Sequence, residues 1–192
     1  MKLGIAVLAG LLSTGTVMAF DAAGLNFPPL IHGHQHASGT GCPAIRVLKP
    51  AELPVPWRDA IARITMTCEP MAGIDKEPDA STISVAALRP GSVSLRGVPV
   101  VELRHSESWA HGDSQYVLDA PYAEVFDTMG SYGKAQCVAG LGTDTLAGET
   151  CNPEFDSVGG GFRINTSELG GIRFSPDPEN PRRSILAEFW AD

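Results

Sequence analysis

Three imidazoles stand at alternate positions in His32-Gly33-His34-Gln35-His36, the densest local set of ligand-type side chains in the chain. Were the segment extended, all three would point to one side, because strand side chains alternate faces. Imidazole suits copper, zinc or nickel, and short His-rich tracts are a compositional sign of metal binding. Beside the run, however, stand glycines and prolines, with no adjacent carboxylate or thiol to complete a coordination set. The expectation is a solvated tail with weak affinity for copper or zinc and no resident cofactor. Replacing His32, His34 and His36 together by Gln should then leave folding intact.

A second set is His105, Glu107, Trp109 and His111, interleaved with Ser106, Ser108 and Asp113. These are the residue types of a hydrolytic triad, and equally of a polar loop that offers an aromatic anchor to a partner. The expected role is partner binding through His105, Glu107, Trp109 and His111. A small hydrolase assembled from distant segments is the alternative, and a metal-handling protein built on the histidine run is a third. The spacings that would favour catalysis fall short. Ser131 in Met129-Gly130-Ser131-Tyr132-Gly133 lacks the first glycine of a nucleophile elbow, and Gly159-Gly160-Gly161 lacks the lysine of a phosphate-cradling loop.

The address of the protein bears on its cysteines. Met1-Lys2 forms a short positive head, Leu3 to Leu12 an apolar run too short for a membrane span, and Val17-Met18-Ala19 a small-residue cleavage site. Residues 1–19 are expected to be a cleaved secretory signal, which places the mature chain in the periplasm or outside the cell, soluble and without a membrane anchor. In such an oxidising compartment the four cysteines, Cys42, Cys68, Cys137 and Cys151, are expected to pair. The glycine-rich spacer from Cys137 to Cys151 lets those ends meet, leaving Cys42 for Cys68. Closing a loop of about 15 residues contributes about 3 kcal/mol in the chain-entropy model.

Charge narrows the partners. The formal net charge is −8, more negative still without Lys2, and the only adjacent basic pair is Arg182-Arg183. Nucleic acid and polybasic membrane attachment are thereby disfavoured, since both need clustered Lys and Arg. Another protein is the expected partner, bound by an exported, non-enzymatic inhibitor or immunity-type protein.

The elements that must position these residues follow from period and punctuation. Residues 20–50, broken by Pro28-Pro29, Gly33, Gly39, Gly41 and Pro43, read as an irregular lead-in along the surface, and residues 51–192 as one globular domain. Trp57, Ala60, Ile61 and Ile64 form an i, i+3, i+4, i+7 stripe after Pro56, which predicts a first helix ended by Pro70 and Gly73. Thr82–Leu88 and Ser92–Arg96 alternate like strands around Arg89-Pro90-Gly91, which predicts a hairpin. Pro99–Arg104 and Gln115–Leu118 read as further strands joined by a polar loop from Ser106 to Ser114. Tyr122, Val125, Phe126 and Met129 predict a second helix, capped by Asp119 and stopped by Gly130. Phe162–Asn165, Gly171–Phe174 and Ile185–Trp190 complete the strands, the last with Phe189 inward. The sum is an α+β domain, a mainly antiparallel sheet with two short amphipathic helices, stapled by disulfides.

Overall fold

The computed structural model describes residues 19–32, 45–72, 78–108, 111–141, 151–156, 159–167 and 170–191. His34, His36, Cys42, Trp109 and residues 1–18 of the expected leader lie outside the described residues.

The described chain runs through β1 (Phe20–Asp21), β2 (Ile31–His32), β3 (Arg46–Val47), a 3-10 turn (Pro50–Glu52) and the single-turn helix α1 (Trp57–Ala60). It continues as β4 (Ile61–Ala72), β5 (Pro78–Leu88), β6 (Val93–Leu95), β7 (Val98–Glu107) and β8 (His111–Leu118). The helix α2 (Tyr122–Leu141) follows, then β9 (Glu154–Asp156), β10 (Gly161–Ser167), β11 (Gly170–Pro176) and β12 (Ser184–Ala191).

One sheet carries nearly all of these strands. Its main path runs β4-β5-β7-β8-β12-β11-β10-β9, while β6 and β1 branch from the start of β7. Every pairing along the path is antiparallel, but β1 joins β6 in parallel, so the sheet is mixed rather than uniformly antiparallel. The strands expected at Phe162–Asn165, Gly171–Phe174 and Ile185–Trp190 lie within β10, β11 and β12.

Several expectations are corrected. The first helix shrinks to one turn, and from Ile61 the chain is extended for the length of β4. Ile61, Ile64, Thr65 and Thr67 are β-branched, stiff at χ1 and better placed on a pleated surface than in a helix. Pairing with β5 along its whole length decides the competition. The Arg89-Pro90-Gly91 turn forms, with the Ser92 N–H donating to the Arg89 carbonyl at 3.1 Å, yet β5 and β6 do not pair. The true hairpin joins β6 to β7 through Arg96 and Gly97, with φ of 51° and 80°. Two successive residues at positive φ are the mark of a primed two-residue turn, whose twist matches the flanking strands.

Gly130 does not stop the second helix, which continues to Leu141, and the helix begins at Tyr122, beyond Asp119. The Asp119 carboxylate instead faces the Arg183 guanidinium at 3.7 Å. The glycines serve packing. A Cβ added at Gly133 would lie 3.1 Å from Ile164 and 3.6 Å from Ile172, so the missing side chain lets α2 lie close on β10 and β11. Val125 and Met129 are buried as the stripe requires, whereas Phe126 stays 41% exposed and touches Tyr122 and Phe162 edge-on.

Cys137 and Cys151 are disulfide-bonded, with Cα atoms 5.7 Å apart and both residues fully buried. Cys68 is disulfide-bonded as well, and its expected partner Cys42 lies outside the described residues. The lead-in is not merely superficial, because Ala22 and Leu30 are each 1% exposed within the core that also holds Trp57, Leu103 and Tyr116. No helix among the described residues is long and apolar enough to cross a membrane.

Candidate functional site

Register across β7, β8 and β12 stacks three rows of side chains on one face of the sheet. The innermost row is Leu103, Tyr116 and Leu186, all buried. Two residues along, the row is His105, Ser114 and Glu188, and two further it is Glu107, Gly112 and Trp190. With the side-chain period of two, all three rows share the core-facing side, so the face changes from apolar to polar within one strand length.

His105 is fixed from every direction. Its Nδ1 and the Ser114 hydroxyl oxygen are 3.1 Å apart and share a hydrogen bond, while its Nε2 lies 3.6 Å from a Glu107 carboxylate oxygen. The imidazole stacks on the Trp190 indole with centroids 5.7 Å apart, and the Phe27 ring stands 6.1 Å away. Trp190 reaches this position because Gly112 beneath it has no side chain; a Cβ there would collide with the indole. This is the close approach that requires glycine in the middle of a strand.

Residues 24–30 pass over this polar part of the face without helix or ladder. Phe27 packs edge-on against Tyr116 at 5.4 Å, and Pro28-Pro29 stiffens the chain beyond it. On one side of Phe27 lies a cavity of about 310 Å³ lined by Pro28, Leu30, His105, Glu107 and Ser114. On the other lies a cavity of about 240 Å³ lined by Leu25, Asn26, Tyr132, Gln136 and Glu188. The larger stands just at the roughly 300 Å³ where pockets for drug-sized ligands begin, and the smaller falls below it. Each is of a size for a single side chain.

The electrostatics of the second cavity are set by Glu188. Its side chain is exposed, yet residues 24–27 and α2 stand beside it, and the partial desolvation they cause raises its carboxyl above the ordinary value. Burial, and then the nearby Glu188 charge, also raises the Tyr116 and Tyr132 hydroxyls.

His105 and Glu107, singled out by the sequence, thus line one cavity together, while His111 goes elsewhere. Strand alternation turns His111 to the opposite face, where its Nδ1 and the Ser108 hydroxyl share a hydrogen bond at 3.0 Å. On that outer face Asp113 accepts from the Ser106 hydroxyl and the Gln115 amide, each at 3.1 Å. The expected polar loop is also shorter than read, since β7 extends to Glu107 and β8 starts at His111. His32 is exposed at the end of β2. Among the described residues no three His, Cys, Asp or Glu side chains cluster as a metal site.

Phe27, Ser114, Trp190 and Tyr132 had no local signal in the sequence, because they arrive from four separate segments. One sign was available for Glu188: it occupies the phase of Leu186 in an otherwise apolar strand, and a charge on a core-facing phase needs a reason. Phe189, expected inward, takes the opposite phase and sits half-buried beneath the Arg173 guanidinium, 5.3 Å from its ring.

Chemically, the arrangement offers an oriented imidazole beside a carboxylate, a second carboxylate by two phenols, and aromatic walls between them. No family model, curated protein or solved structure matches the chain.

Proposed function

We propose that the protein is an exported binding protein whose groove beneath residues 24–31 receives a segment of another protein. The observation that carries this reading is the pair of side-chain-sized cavities flanking Phe27, with polar groups converging on a floor that the strand ladder holds rigid. Anchoring residues of interfaces fill such pockets, with aromatic walls excluding water around them. Export rests on the leader at residues 1–19 and agrees with the disulfides, which persist in oxidising compartments.

A hydrolase is the second reading, favoured by one observation: His105 has a serine hydroxyl at one ring nitrogen and a carboxylate near the other. The order is inverted for nucleophilic catalysis. A triad needs the acid behind the ring and the hydroxyl toward substrate. Here Ser114 is buried at 7% exposure, whereas Glu107 stands at the cleft with its side chain 37% exposed. Ser114 is therefore suited to orient the ring, which presents Nε2 and Glu107 to a ligand.

The test uses protein recovered from the export fraction, with intact mass checking for a chain that begins at Phe20. The partner captured at one-to-one stoichiometry should be lost with Phe27→Ser and kept with the control Phe155→Ser, at an exposed residue of β9. Turnover of ester or peptide substrates that disappears with His105→Ala would overturn the binding reading in favour of the hydrolase.

A further inference from the structure

Glu188 poses a question that the core does not answer. Glu188 follows the phase of buried Leu186 along β12, yet its own side chain is exposed and lines the edge of a cavity. Among the described residues no hydrogen bond or ion pair engages it, and burial is the sole cause of its raised carboxyl. The neighbouring groups are the aromatic rings of Phe27 and Tyr132 and the amides of Asn26 and Gln136, the last hydrogen-bonded to the Tyr132 hydroxyl. Tyr132 already accepts one guanidinium of its own chain, with Arg96 5.5 Å from the ring centroid. The cavity in front of Glu188 holds about 240 Å³, and the chain as a whole carries a net charge of −8.

We infer that the cavity between α2 and residues 24–27 is an arginine-recognition pocket, in which Glu188 pairs with the guanidinium of an arginine side chain on the protein partner. The inference rests on the groove being a partner site and names the chemistry of one contact in it. A guanidinium fits better than an ammonium for three reasons. Its planar fork can meet a carboxylate with two parallel bonds, its faces stack on aromatic rings, and it is more weakly hydrated, so it enters a half-enclosed pocket at lower cost. Its remaining N–H groups need acceptors, which the side-chain amides of Asn26 and Gln136 can supply. A negative pocket on a negative protein also draws a basic partner segment by long-range attraction.

The experiment titrates N-acetyl-L-arginine amide into the isotope-labelled protein and follows the amide signals of Gly24 to Phe27, Tyr132, Gln136 and Glu188. N-acetyl-L-lysine amide and the neutral isostere N-acetyl-L-citrulline amide serve as comparison probes. The expected result is saturable shifts at those signals with the arginine probe, at least fivefold weaker with the lysine probe and absent with citrulline. Glu188→Gln, with melting behaviour checked, should weaken the arginine probe about tenfold, the loss expected when a charged hydrogen-bond acceptor is neutralised. Citrulline binding as well as arginine, lysine binding as well as or better than arginine, or no arginine-dependent shift at these residues would each overturn the pocket assignment. The wider reading fails separately. If the captured partner is lost with Phe27→Ser but unaffected by Glu188→Gln, the groove stands and the arginine pocket falls.

Discussion

The row of side chains that passes through Glu188 differs on its two sides. Toward β11 and β10 it continues as Ile172 and Ile164, both buried, beneath a helix whose Gly133 lets it lie almost on the strands. Toward β8 and β7 the same row is Ser114 and His105, beneath residues 24–30, which have no regular structure. A helix presents a continuous apolar stripe and demands an apolar floor in return. An irregular cover leaves gaps, and polar groups in those gaps keep access to water or to a ligand. One half of the face is therefore built to hold the fold together, and the other half is free to carry function.

The largest effect that sharpens this comparison belongs to the helix half. Val125→Asp should unfold the protein, because it places an unpaired carboxylate against the sheet at a cost of several kcal/mol, comparable to a whole domain's stability. Glu124→Ala, on the exposed side of the same turn, should leave the melting temperature unchanged within a degree or two. Equal melting of the two variants would erase the distinction between the covered stripe and the solvent side.

Next comes the disulfide that ties α2 to the chain before β9. Replacing Cys137 and Cys151 together by Ser opens a loop with a sequence separation of 14 and should cost about 3 kcal/mol, read as a lowered denaturant midpoint with unchanged slope. On the polar half a smaller and more local change is expected. Gly112→Ala pushes the Trp190 indole off its bed and should cost about 1 to 3 kcal/mol as an overpacking substitution. The chain should stay folded while the His105 ring signals move, since the stacked partner is displaced.

The smallest effect separates two glutamates by the sign of their pH dependence. The Glu188 carboxyl is raised in the fold, so it costs stability at neutral pH, and the cost fades as pH falls through its folded value toward the ordinary 4.5. Glu188→Gln should therefore melt slightly higher than the parent at pH 7 and equally below about pH 4. Glu52 is the opposite case. Hydrogen bonds from the Arg46 guanidinium first, and then from the Lys49 backbone N–H, hold its carboxyl down at about 2. Its contribution is present above 4.5 and is lost as pH falls from 4.5 toward 2, so Glu52→Gln should melt slightly lower at pH 7 and equally near pH 2. Both shifts are small because both groups meet solvent.

How much of this was legible in the sequence follows the same division. The helix half announces itself: Tyr122, Val125 and Met129 keep a 3.6-residue period, and the strands around Phe162, Ile172 and Ile185 are bounded by glycines and prolines. Local pattern is ambiguous where two periods fit one segment. Trp57, Ala60, Ile61 and Ile64 fit a helix stripe, while Ile64, Met66 and Cys68 fit a strand, and only pairing with β5 across a long separation selects the strand. Ile185, Leu186 and Ala187 are buried on both faces, so a period of two does not fix the phase of β12 and leaves Phe189 and Trp190 equal candidates for the inward side. The groove was legible only through His105 and Glu107. Phe27, Ser114, Tyr132 and Glu188 meet through register and long connections, which local pattern does not encode.

We propose the polar half of the face, beneath residues 24–30, as the working surface. Hydrogen–deuterium exchange on the complex with the captured partner tests it most directly. New protection should concentrate in residues 24–31, at the β7 and β8 ends around His105 and Ser114, and at Glu188 to Trp190. Little change is expected over Phe162 to Phe174. Protection that falls instead on the outer face of α2, on β9 and β10, or on the Asp177–Arg183 turn, with residues 24–31 exchanging as in the free protein, would contradict the account.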